Sequence, residues 1–305
     1  MYNGTKRIGF VSLSVFLAMT IFWPTPATQT ITKEYYGPPA PIFHTLSITP
    51  PKLFCEAAFL QDNSTSEKLY GKDEYNVRPI ASITKLITAL TFLDFKVDWD
   101  KTIEMDTSDA NNSSRSPLRA GDVYRVRDLF HCSLMSSDNR ATRALARSTG
   151  VSTDSFIVMM NRKVDSLGLF SIKVDEVTGL SENNVASAYD LARLVNIASA
   201  NPTIQTALLT KQYSFISEKR KRLITLGNTD RLLFSEWNVQ GGKTGYIGES
   251  GYCFAVRIAN DKGHDLTGVV LGAHSNSRRF KEATKLFQWA FTALDKLQAN
   301  TIGKL

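Results

Sequence analysis

Ser82 and Lys85 stand three residues apart in Ala81-Ser-Ile-Thr-Lys-Leu-Ile-Thr-Ala-Leu90. A serine hydroxyl is a weak nucleophile at neutral pH and needs a neighbouring base to take its proton. A lysine amine supplies that base once apolar neighbours disfavour its charged form. Apolar residues at 83, 86, 87, 90 and 93 recur on a helical period, which predicts a helix over Ser82–Leu93 with one face buried. Three-residue spacing then puts both side chains on one helical face, within reach of each other. In a first turn the backbone N–H of Ser82 is free to meet a developing oxyanion. The pattern Ser-x-x-Lys is permissive, and a capping serine followed by a surface lysine is its commoner source.

Two further strings bear on that choice. Val126–Met135 and Asn139–Arg147 read as amphipathic helices, with Ser136-Ser-Asp-Asn139 on the break between them. A break lets polar side chains point into a cleft. Ser137 would pass a proton between Lys85 and a leaving amine there, and Asn139 would hold Lys85 and a substrate amide. By itself the string reads first as a helix cap, since serine, aspartate and asparagine all cap well. The third string, Lys243-Thr-Gly245, follows Gly241-Gly242, which permit a close turn, and precedes a strand over Gly251–Ile258. An edge strand beside the serine would offer backbone N–H groups, with glycine letting a ligand approach closely. Lys243 and Thr244 would attract a carboxylate, and the N–H of Tyr246 would be the second oxyanion donor. The alternative is a hairpin with an exposed lysine.

The three strings occur together, in order, among other matching segments. Arg78-Pro-Ile-Ala-Ser-Ile-Thr-Lys-Leu-Ile-Thr-Ala89, Leu118-Arg-Ala-Gly-Asp122 and Leu134-Met-Ser-Ser-Asp-Asn-Arg-Ala141 are three of them. Thr178-Gly-Leu-Ser181, Val185-Ala-Ser-Ala-Tyr-Asp-Leu-Ala192 and Lys243-Thr-Gly-Tyr-Ile247 continue the series. From about Phe54 to about Leu294 the chain resembles the low-molecular-mass penicillin-binding proteins, the serine D-alanyl-D-alanine carboxypeptidase and endopeptidase family. The resemblance implies an α+β fold of β-lactamase and D,D-peptidase type. In it an antiparallel sheet is flanked by helices, and the active site lies at the junction with a helical subdomain. It also implies acylation of Ser82 by the penultimate D-alanine, loss of the terminal residue, and hydrolysis of the acyl-enzyme. Lys85 would be the base, Ser137 the relay and Asn139 the positioner of Lys85. Lys243, Thr244, Gly245 and Tyr246 would bind substrate. An arginine of the last helix would complete the carboxylate pocket, with Arg279 the closer match and Arg278 its neighbour. The implied partners are peptidoglycan stem peptides, with β-lactam antibiotics as covalent inhibitors, and no cofactor.

The elements that must position these groups follow from pattern and punctuation. Lys6 and Arg7 precede an uncharged, mostly apolar run from Ile8 to Trp23, short for a membrane span of ~20 residues and suited to export. Thr25-Pro-Ala27 offers small residues for cleavage, so residues 1–27 read as a signal peptide or a retained anchor. Seven of the ten prolines fall between Pro24 and Pro51, so 28–52 reads as an extended linker. The catalytic domain would span 53–298, with a tail at 299–305. Strands are expected at Cys55–Leu60, Leu69–Tyr70, Arg222–Leu226 and Arg231–Phe234, the last two leading to the Lys243 turn. A hairpin of Tyr252–Ile258 and Leu266–Leu271 crosses Asn260-Asp-Lys-Gly263. Further helices are expected at Thr153–Leu167, stopped by Gly168, at Ala188–Ala198 and from about Ser277 to Leu297. The absence of family-type C-terminal extensions leans toward the shorter endopeptidase-like members, which cut cross-links.

Other chemistries find less support. Cys55, Cys132 and Cys253 are odd in number for an exported chain, and Cys132 and Cys253 fall in core elements as small apolar residues. His44, His131, His264 and His274 lack ligand spacing, so no metal is expected. No Gly-x-Ser-x-Gly elbow occurs. A net charge of +7 and Lys219-Arg-Lys-Arg222 invite a nucleic-acid reading. In an exported domain a solvated hairpin facing anionic wall polymer fits better, and no nucleic-acid partner is expected. Asn63-Ser-Thr65 and Asn112-Ser-Ser114 fit a glycosylation pattern that would carry no weight in the bacterial wall enzyme that the resemblance implies. A class A β-lactamase would need a Glu-x-x-x-Asn loop to activate its deacylating water. Glu176 is followed four residues on by Leu180, and Glu182 by Ala186. A non-catalytic wall-binding protein of the same fold is the other rival. Membrane contact is expected only through an uncleaved N-terminal segment, with the domain in the periplasm or on the outer face of the cytoplasmic membrane.

Overall fold

A computed structural model of the protein describes residues 48–110 and 116–302, together with Met1. The apolar run Ile8–Trp23, most of the proline-rich stretch, the Asn112 sequence and residues 303–305 lie outside them. Its centre is an antiparallel sheet of order β2-β1-β11-β10-β9, formed by β1 (Ala57–Asp62), β2 (Lys68–Lys72), β9 (Asn238–Ile247), β10 (Gly251–Ala259) and β11 (Asp265–Ala273). All six residues of β1 are buried, as expected of a strand covered on both faces.

Period-two alternation sends the strand residues into two cores. Ala57, Phe59, Cys253, Ala255, Val269 and Leu271 join the first, and Ala58, Leu60, Phe254, Val256 and Val270 the second. The second core is closed by the last helix, α7 (Asn276–Ile302), whose Phe280, Ala283, Leu286, Phe287, Ala290 and Phe291 recur on a helical stripe. The first is closed by α1 (Lys85–Phe92), α2 (Val126–Leu134), α3 (Asn139–Ser148), α4 (Thr153–Ser166), α5 (Ala188–Ala200) and α6 (Pro202–Leu209). Of these, α5 lies across β1, β9, β10 and β11, while α1 packs among α2, α3, α4 and α5. Short pairs complete the fold: β3 (Arg78–Pro79) with β6 (Val185–Ala186), β4 (Thr102–Glu104) with β5 (Val123–Arg125), and β7 (Gln212–Ile216) with β8 (Leu223–Gly227).

Several expected elements differ. The helix expected from Ser82 starts as a 3-10 turn over Ala81–Thr84 and becomes α-helical only at Lys85. Arg231–Phe234 is a 3-10 turn and not a strand, because Asp230 caps it by accepting from the Leu232 N–H. Lys243 lies within β9 and not at a turn. Gly241 and Gly242 there serve close packing, since added Cβ atoms would stand 2.7 Å from Ser199 Cβ and 2.6 Å from Asp230 Oδ2. Helix α6, whose start is marked by Asn201 capping ahead of Pro202, and β7, the partner of β8, are additional to the expected elements. All three cysteines are buried free thiols.

Candidate active site

The 3-10 turn carrying Ser82 is pinned from three directions. Ile80 donates its N–H to the Asn184 carbonyl at 2.9 Å, the buried Asn184 side chain reaches Thr84 Oγ1 at 3.2 Å, and the turn packs on β9. Ala81 takes φ of +48°, which is strained for a residue with a Cβ. One residue into α1, Lys85 is fully buried, and its Nζ donates to Ser82 Oγ at 2.8 Å, Asn139 Oδ1 at 2.7 Å and the Thr178 carbonyl at 2.6 Å. Burial lowers the Lys85 pKa to about 7, against the Glu176 and Asp138 carboxylates, which favour the ammonium. An amine poised there can take the Ser82 proton near neutral pH.

Ser136 ends α2 by bonding the Cys132 carbonyl at 2.7 Å, and Asp138 starts α3 by accepting from the Ala141 N–H at 3.0 Å. Ser137 bridges the two at φ of +62°, a conformation costing on the order of 1–3 kcal/mol for a non-glycine residue. The strain turns its hydroxyl to Lys243, whose Nζ donates to Ser137 Oγ at 2.8 Å. The hydroxyl expected to relay protons for Lys85 is thus bonded to Lys243. Lys243 is itself buried, and burial, then the charges of Lys85 and Arg279, hold its amine well below the ordinary lysine range. An incoming carboxylate would restore its charge. Thr244 Oγ1 donates to Thr229 Oγ1 at 2.7 Å.

Gly245 brings β9 against the nucleophile turn. A Cβ there would stand 2.7 Å from the Ile80 carbonyl oxygen and 3.2 Å from Ser82 N. On the β10 side, Arg279 Nη1 donates to the carbonyls of Gly245 at 2.8 Å and Cys253 at 3.2 Å, while Nη2 reaches Asn276 Oδ1 at 2.6 Å. No peptide bond among the described residues is cis, so the Tyr246 N–H points opposite the Gly245 carbonyl, toward the free edge of β9. The 245–246 backbone thus lies against that of Ser82. Arg279 is buried and its bonds go to β9, β10 and α7, whereas Arg278 pairs with Glu282 at 3.4 Å.

Four residues without an assigned role enter the site. Thr178 contributes a backbone carbonyl to Lys85. Thr229 holds Thr244. Asp230 lies buried beneath Gly242 with its carboxyl pushed up to about 6 by burial, and it favours the charged form of Lys243. Glu176, weighed above as a water activator, accepts instead from Thr178 N and Oγ1 at 2.8 Å each, Leu180 N at 2.6 Å and Gly179 N. A carboxylate so engaged has little left to polarise water. Among the described residues, no cluster of His, Cys, Asp and Glu is arranged to hold a metal.

Residues 44–275 match the model of the D-alanyl-D-alanine carboxypeptidase family. The chain belongs to this family. A D-alanyl-D-alanine endopeptidase of Pseudomonas aeruginosa is 35% identical over 245 residues, covering 77% of each chain. One of Escherichia coli is 30% identical over 290 residues, covering 94% of this chain and 89% of the relative. Among solved structures, a Streptomyces DD-transpeptidase superposes with a TM-score of 0.75 at 29% identity, covering 80% of this chain and all of that one. A D-alanyl-D-alanine carboxypeptidase of Mycobacterium tuberculosis also gives 0.75, at 26% identity, with 84% and 96% covered. Family and fold both agree with the resemblance read from the motifs. No helix among the described residues is long and apolar enough to cross a membrane.

Proposed function

We propose that this protein is a penicillin-sensitive serine D,D-peptidase acting on peptidoglycan stem peptides through an acyl-enzyme on Ser82. The carrying observation is the Lys85 amine, desolvated and 2.8 Å from the Ser82 hydroxyl. Lys85 takes the hydroxyl proton as Oγ attacks the carbonyl of the penultimate D-alanine, and the N–H groups of Ser82 and Tyr246 receive the oxyanion. Asn139 orients Lys85. The Ser137 hydroxyl, backed by Lys243, gives its proton to the departing amine as the C–N bond breaks and regains one from the Lys85 ammonium, which leaves Lys85 neutral. Lys243 and Thr244 hold the carboxylate of the leaving residue, with Gly245 keeping the strand close and Arg279 bracing it from behind. Water then attacks the ester carbonyl while giving a proton to Lys85, and Lys85 passes that proton to Ser82 Oγ as the C–O bond breaks.

A β-lactam follows the same first half, but its opened ring keeps the amine tethered. With Glu176 occupied by backbone donors, the penicilloyl ester is expected to persist, which disfavours the β-lactamase reading. The relatives named endopeptidases favour cleavage of D-alanyl cross-links to diaminopimelate over trimming of monomers. Both reactions use one site. We place the enzyme outside the cytoplasmic membrane, touching the bilayer through residues 1–27 alone where that segment is retained.

The test is incubation of purified protein with a pentapeptide monomer, a cross-linked muropeptide dimer and fluorescent penicillin. Wild type is expected to convert dimer to monomers and to label covalently, and Ser82→Ala to do neither. Release of D-alanine or cleavage of dimer by Ser82→Ala, or rapid turnover of benzylpenicillin by wild type, would overturn the proposal.

A further inference from the structure

Lys85 has three partners, and one of them, the Thr178 carbonyl, belongs to a loop with no regular structure. A loop can hold a buried amine in one place only if something fixes its backbone. Here that anchor is Glu176. Its Oε2 accepts both the N–H and the hydroxyl of Thr178, and its Oε1 accepts the N–H groups of Gly179 and Leu180 and the Asn184 amide at 3.2 Å. Asn184 closes the frame by accepting from the Glu176 N–H at 3.0 Å and donating to the Glu176 carbonyl at 2.8 Å. It also reaches Thr84 Oγ1 on the nucleophile turn. Gly179, at φ of +88°, lies so close that a Cβ would collide with the Ala81 carbonyl. Carboxylate, loop and nucleophile turn therefore form one rigid unit around the Lys85 amine.

We propose that Glu176 is a positioning residue for the reaction: its carboxylate folds residues 178–180 so that the Thr178 carbonyl meets Lys85 Nζ, and it sets the negative charge that this buried amine faces. An amide would meet these donors with one oxygen and a donor of its own, so the loop itself calls for a carboxylate, and the charge has a second reason. The surroundings of Lys85 supply it. Asp138 and Glu176 favour the ammonium, burial and Arg143 oppose it, and Lys243 on β9 feels the Lys85 charge in turn. Without Glu176, Asp138 alone would counter burial, and the amine would lose basicity.

The inference rests on Ser82 and Lys85 as nucleophile and base, which labelling of wild type by penicillin tests separately. The rate constant for labelling by fluorescent penicillin is measured against pH for wild type, Glu176→Gln and Glu176→Asp, with thermal melting of each. In Glu176→Gln the plateau is expected to fall about tenfold, from loss of orientation, and the acid limb to move about half a pH unit or more to lower pH. Glu176→Asp keeps the charge on a shorter stem, so its plateau falls while its limb stays with wild type. A lowered plateau in Glu176→Gln with an unmoved limb, tracking a lowered melting temperature, would reduce Glu176 to a structural residue and overturn the proposal. If Glu176→Gln does not fold, a wild-type plateau in Glu176→Asp overturns it instead. Failure of wild type to label would sink the reading of the site, not this inference alone.

Discussion

Lys85 must give up its proton to accept one from Ser82, yet stay polar enough to hold three hydrogen bonds. Burial serves the first need, and the acceptors Asn139 and Thr178 serve the second. With its pKa lowered to about 7, the amine is increasingly protonated as pH falls below that value. The labelling rate should therefore drop about tenfold per pH unit on the acid side and level off above it. Lys85→Arg should lose about 10³-fold or more at every pH, because a guanidinium stays charged and cannot serve as base. Penicillin labelling across pH reads both outcomes, and a profile flat down to pH ~5 would remove Lys85 from the role of base. The same shift has a stability consequence. Between about 7 and the ordinary lysine value the unfolded chain binds a proton that the folded chain lacks, so Lys85 contributes a stability that rises with pH through that window.

Elements enter the site mostly through their backbones, and this divides what the sequence discloses from what it hides. Ser82, Lys85, Ser137, Asn139 and Lys243 converge through recognisable side chains, and helix α7 through its apolar stripe. The Thr178 carbonyl leaves no such mark, since any residue supplies a carbonyl. Gly241 and Gly242 suggest a turn before Lys243, but they serve the close approach of β9 to its neighbours, a three-dimensional requirement without a local signature. Arg231–Phe234 reads as a strand from its apolar content, but the Asp230 cap and the burial of Leu232 and Leu233 select a tight turn. Close approach is testable at Gly245. Gly245→Ala sets a methyl 2.7 Å from the Ile80 carbonyl and pushes β9 off the nucleophile turn. It should cut labelling about 100-fold or more. At Gly227, where nothing lies within 4 Å of an added Cβ, alanine should stay within about 0.5 kcal/mol of wild-type stability and label normally. Equal behaviour of the two variants in melting and labelling would refute the steric account.

At the scale of the molecule, one sheet carries two cores of unequal relation to the chemistry. The core under α7 meets the site through the back of β9 and β10, through Arg279 and through the Asp230 turn, whereas the other contains α1 itself. Phe287 belongs to the first kind: it is fully buried, packs against Trp237 and Phe291, and sits over Gly268, where a Cβ would stand 2.8 Å from its ring. Met160 belongs to the second. It is fully buried on α4, with its sulfur 3.9 Å from the Thr88 hydroxyl, which in turn donates to the Val177 carbonyl at 2.6 Å, one residue before Thr178. Truncation of either to alanine leaves a cavity, costing about 3–5 kcal/mol for Phe287 and about 2–5 kcal/mol for Met160. The consequences for catalysis should differ. In Phe287→Ala the lowered melting temperature should leave labelling per folded molecule within about twofold of wild type, since relaxation occurs behind the sheet. In Met160→Ala the collapse draws on α1 and the 177–178 backbone, the two segments that aim Lys85, and labelling per folded molecule should fall about tenfold. Melting and labelling rates on matched folded fractions separate the two. Comparable losses of labelling in both variants would mean that the sheet transmits strain as freely as the helical side, and that the site is not insulated from the α7 core.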